Sequence, residues 1–67
     1  MGMDTVIELL IAHLNLFREH LDDATITLID QLRETGEQPD ESQKNVLYLA
    51  ERRLRRHLGD EEYFKRT

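Results

Sequence analysis

The chain has 67 residues, 39% of them hydrophobic, with 14 acidic against 9 basic side chains, a net charge of −5 and no cysteine. That length allows one domain whose core barely offsets chain entropy, and without cysteine neither disulfides nor thiolate metal sites can reinforce it. No apolar run approaches the ~18 residues of a membrane span, and Asp4 and Glu8 interrupt the apolar opening, so neither a membrane segment nor a signal peptide is expected. Val6 stands where the myristoylation motif after Gly2 wants Ser or Thr, and a cytoplasmic location follows as the expectation.

The first predicted element is a long helix over about 4–35. On a wheel of 100° per residue, Met3, Val6, Ile7, Leu10, Leu14, Phe17, Leu21, Ala24, Leu28 and Leu32 share one arc of about 100°. Read as heptads, Ile7, Leu14, Leu21 and Leu28 take one core position, with Leu10, Phe17 and Ala24 at the other. Opposite them lies an acidic stripe of Asp4, Glu8, Glu19, Asp22, Asp23 and Asp30. Gly36 then supplies the positive φ that a helix end favours, opening a turn at 36–38. Pro39 suits the first turn of a second helix over about 39–58, and Asp40 and Glu41 suit its dipole. Its apolar arc holds Val46, Leu47, Ala50, Leu54 and Leu58, and Gly59 closes it before a tail at 59–67. Two amphipathic helices around a tight turn define an all-α fold, an antiparallel helical hairpin forming one domain over 1–67.

The helix lengths predict self-association. At 1.5 Å per residue the first helix extends roughly 45 Å and the second roughly 30 Å, so the second folds back only to about Asn15. The front third left uncovered is the most apolar part of the chain, with Leu9 and Ile11 on its flanks and Leu16 continuing the Leu9 side. Val6, Ile7, Leu9, Leu10, Ile11, Leu14, Leu16 and Phe17 are therefore the candidate self-association or partner-binding residues. The simplest partner is a second copy, giving a homodimeric four-helix bundle. In the competing reading, Tyr63 and Phe64 fold back from the tail over part of this patch.

Candidate chemistry is thin. His13 and His20 lie about two turns apart, too far to share one metal, and His57 meets them only from across the fold. The residues three before them are Leu10, Phe17 and Leu54, so no Glu-x-x-His bundle motif is present. No nucleophile elbow or phosphate-cradling glycine loop accompanies Ser42 or the threonines. No catalytic residue, metal site or cofactor is expected, and the protein reads as a non-enzyme.

The strongest charge feature is Glu51-Arg52-Arg53-Leu54-Arg55-Arg56-His57. Tyr48, Arg52, Arg55 and Arg56 form a candidate patch for an anionic partner, with Tyr48 as a stacking ring. The plainer reading is that these cations complement the helix dipole and pair with nearby carboxylates. The acidic stripe admits its own functional reading, a carboxylate edge that imitates a phosphate track in the manner of small phage-type inhibitors.

The run Thr25-Ile26-Thr27-Leu28-Ile29-Asp30-Gln31-Leu32 before the turn and Leu58-Gly59-Asp60-Glu61 after the second helix resembles the Rop family of plasmid RNA-binding regulators. That resemblance implies a helical hairpin dimerised into a four-helix bundle and a nucleic-acid partner. The leading expectation is a small regulator, adapter or inhibitor that binds another protein through its apolar first-helix surface. The alternatives are a Rop-like nucleic-acid regulator and an acidic mimic of nucleic acid.

Overall fold

Periodicity alone carries the first helix to Thr35, but the backbone turns aside after Asn15. In the computed structural model, which describes residues 3–65, α1 spans Thr5–Asn15. The N–H groups of Leu16 and Phe17 bond back to the carbonyls of His13 and Leu14, tightening the last turn, and a 3-10 turn follows at Arg18–His20. Leu21 and Asp22 are extended, and α2 runs over Asp23–Thr35.

Neither glycine nor proline makes this corner. Asp22 does, because its carboxylate accepts the Thr25 N–H at 2.9 Å and starts a new helix. Arg18 braces the corner with two parallel bonds to Asp30 at 2.8 and 2.9 Å and one to Asn15 at 2.9 Å. The expected single helix over 4–35 is therefore corrected to two helices. As one rod it would measure roughly 45 Å, longer than the 34 Å greatest extent of the folded chain.

The break also resets the helical phase. Ala24, expected in the core, is exposed, while Leu21 and Leu28 are half-buried. Thr25 and Ile29 join the expected Leu32 to carry the buried stripe of α2, at i, i+4, i+7 spacing.

The second corner follows the sequence more closely. Gly36 has φ 70° and its N–H reaches the Leu32 carbonyl at 2.8 Å, closing α2 in a left-handed cap. Asp40 caps α3, which spans Glu41–Leu58, so Pro39 sits buried just before the cap rather than inside the helix. Reciprocal bonds join the Gln43 N–H to Asp40 at 2.8 Å and the Asp40 N–H to Gln43 Oε1 at 3.0 Å. At the far end Gly59 takes φ 83° and ψ 156°, backbone essentially restricted to glycine, and the predicted tail becomes a fourth helix, α4, over Asp60–Lys65.

These corners set the helix directions. The Asp4 N–H donates to Gln38 Oε1 at 2.8 Å, so α1 begins beside the α2–α3 turn. The His20 and His57 rings lie 5.7 Å apart, so α2 begins beside the end of α3. Hence α2 runs back along α3, α1 runs in the same sense as α3, and α4 folds against α3. Leu14, Phe17, Ile29 and Leu47 are fully buried between them.

This packing corrects the reading of the front third. Five of the eight expected interface residues, Ile7, Leu10, Ile11, Leu14 and Phe17, lie in the chain's own core. Tyr63 supplies much of the cover from the tail side: it is 2% exposed and stacks on Phe17 at 5.7 Å with planes 6° apart. The length mismatch behind the dimeric bundle vanishes once the first helix is divided. Among the described residues, no helix is long and apolar enough to cross a membrane.

Candidate interaction surface

An α-helix that buries positions 7, 10, 11 and 14 must turn positions 6 and 9 outward. Val6 and Leu9 are accordingly 67% and 65% exposed, and Leu16 is exposed at the end of α1. From α3, Tyr48 emerges 46% exposed, and from α4 Phe64 emerges 53% exposed. Val6, Leu9, Tyr48 and Phe64 rim one open groove of about 230 Å³ whose floor includes Leu10, His13 and Tyr63. Small-molecule pockets occupy roughly 300–1,000 Å³ and enclose most of their ligand. An open groove this shallow suits protruding side chains of another chain.

His13 fixes the floor. Its Nε2 donates to the Tyr63 carbonyl at 2.9 Å, and its ring lies 4.1 Å from that of Tyr63. Phe64 meets Tyr63 edge-on at 5.0 Å, and the Arg55 guanidinium sits over the Phe64 ring at 5.4 Å. Burial pushes the Tyr63 hydroxyl up to about 12, with the negative charge of Glu51 adding to the effect and Arg55 opposing it. The short α4 is thus held to α1 and α3 by the His13–Tyr63 hydrogen bond, the Arg55–Asp60 pair and a cluster of rings.

The predicted anionic-partner residues also come together. Tyr48, Arg52, Arg55 and Arg56 line one cleft, joined by Glu51 and Asp60. This cleft adjoins the apolar groove, since Tyr48 and Glu51 line both. Arg55 is engaged, pairing with Asp60 at 3.2 Å and Glu51 at 3.7 Å. Arg52 and Arg56 form no ion pair among the described residues. The ion-pairing reading of the arginine cluster thus holds for Arg55.

The acidic stripe does not survive as a continuous edge. Its members are spread over α1 and its cap, the 3-10 turn, and α2 and its cap, and several are committed locally. Asp22 caps α2, Asp30 pairs with Arg18, and Asp4 accepts from Gln38. Hydrogen bonds from Thr25 hold the Asp22 carboxyl below the usual carboxylate range, and the hydrogen bond from Arg18 does the same for Asp30. His57 does reach His20, but no group of three metal-ligating side chains forms among the described residues.

Sequence reasoning placed Val6, Leu9, Tyr48 and the arginines, and missed that Phe64 and Glu51 join them. The aromatic pair Tyr63-Phe64 beyond Gly59 was the available signal, read only as a cover. No protein-family model matches this chain, and neither a curated protein nor a solved structure does.

Proposed function

We propose that this protein acts by binding, as a small helical regulator, adapter or inhibitor of another protein. The observation that supports it is the groove rimmed by Val6, Leu9, Tyr48 and Phe64. A chain this small, whose core already accommodates ten apolar side chains, still exposes four large apolar ones around one depression. Contiguous exposed apolar surface of this kind marks interaction sites. A homodimer paired through the same groove is the competing reading, and it must overcome the like charges of the two copies' Arg52 and Arg56.

The Rop-like nucleic-acid reading rests on Arg52 and Arg56. It is the weaker one, because Glu51 and Asp60 line the same cleft and repel phosphate. Affinity capture from the native host tests the leading reading. Leu9→Asp with Phe64→Asp abolishes capture while circular dichroism stays helical, and retained capture refutes it. Light scattering at high micromolar concentration tests the homodimer; a strict monomer excludes it.

A further inference from the structure

Two adjoining surfaces of opposite character meet at Tyr48: an apolar groove on its α1 side and a cationic cleft on the other. From them we infer that the groove takes an acidic amphipathic helix of a partner protein, apolar anchors in the groove and carboxylates on Arg52 and Arg56. The inference rests on the binding function proposed above and specifies the partner's chemistry.

The spacing supports a helix. Tyr48, Arg52 and Arg56 succeed one another at four-residue intervals along α3, a ridge with one side chain every ~6 Å. A partner helix lying along that ridge presents its own residues at the same interval. Its i, i+3, i+4 and i+7 positions supply the anchors that helix-in-groove recognition uses. Carboxylates four residues apart on its flank then fall opposite Arg52 and Arg56, which have no acidic partner among the described residues.

Charge separates this occupant from two others. The cleft holds Arg52, Arg55 and Arg56 against Glu51 and Asp60, three cations minus two anions, a net of one positive charge. Nucleic-acid duplexes carry a charge every ~1.7 Å and demand a broad basic footprint, whereas one or two carboxylates need only the two available guanidinium groups. A second copy docked about a two-fold axis through this face brings its own Arg52 and Arg56 to the same region, and like charges then oppose the contact.

A labelled peptide of about 18 residues, with leucines at helical spacing and glutamates along one flank, provides the probe, and a lysine-for-glutamate version the control. Fluorescence anisotropy is expected to show the glutamate peptide binding at least ~10-fold more tightly, with affinity falling as salt rises. Arg52→Glu with Arg56→Glu reverses the preference, and Leu9→Asp abolishes binding of both peptides. Equal affinity for the two peptides, indifference to the arginine reversal, or no peptide binding overturns the inference. So does an RNA hairpin that binds through Arg52 and Arg56 where the glutamate peptide does not, or self-association that excludes the peptide. If host capture still depends on Leu9 and Phe64 while the peptides show no charge preference, the binding function stands and the acidic helix falls.

Discussion

The two corners of the three-helix unit bend the chain by different means. The α2–α3 corner is written into the backbone: Gly36 takes the left-handed conformation and Asp40 starts the next helix with a capping box. The α1–α2 corner has no such punctuation and is made by side chains, with Asp22 as the cap and Arg18 bridging Asn15 and Asp30. What drives it is burial: the bend brings Leu14 and Phe17 into the same core as Ile29 and Leu47. A turn residue can therefore dictate a bend, or a core can demand one and recruit whatever cap stands nearby.

Phe17→Ala tests that demand most severely. Truncating a fully buried phenylalanine costs about 3–5 kcal/mol, comparable to the whole stability of a domain this small. The expected outcome is loss of cooperative thermal unfolding by circular dichroism; a mutant that melts as the wild type does shows that burial does not hold the corner. Gly36→Ala probes the other corner and should cost about 1–2 kcal/mol. No atom lies within 4 Å of an added Cβ there, so backbone strain alone is measured. A smaller loss, about 1 kcal/mol, is expected when Asp40→Ala removes the α3 cap, read as a lower urea midpoint. Asp22→Ala should lower stability comparably, and its Asn variant should restore most of the loss in both cases.

The smallest effect is pH dependence confined to the first corner. Asp22 and Asp30 have folded-state values below the ordinary carboxylate range, so the unfolded chain binds their protons more readily. Their contribution is complete above that range and is lost as pH falls from about 4 through the lower folded values. Arg18→Gln should flatten the part due to Asp30, as measured by urea titrations at successive pH values. An unchanged acid profile would remove the bridge from the account of the corner.

The helical character of the chain and its second corner were legible from sequence because their signals are local: 3.6-residue periodicity, Gly36, and Pro39 with Asp40 and Glu41 after it. The first corner was not, since Leu16 to Asp22 continues the apolar period and its aspartates read equally well as a solvated face. Asp22 three residues before Thr25 was the only hint, and it is common in unbroken helices. Missing that bend put Ala24 and Leu28 in the places of Thr25 and Ile29, while Leu32 kept its inward place, and left the front third looking uncovered. The cationic cleft was legible because the i, i+4 spacing survives within one helix. The groove was half legible: Val6 and Leu9 came from the wheel, whereas Phe64 required knowing that α4 returns to α1.

That return has a kinetic consequence. The Asp4–Gln38 and His13–Tyr63 bonds close separations of 34 and 50 residues, whereas α2 and α3 meet across a short turn. Closing long loops carries an entropic charge that neighbouring helices avoid. The α2–α3 pair is thus the natural nucleus, with α1 and its contacts to α4 closing later. On heating the order is expected to reverse, the contacts of α1 parting before the α2–α3 pair.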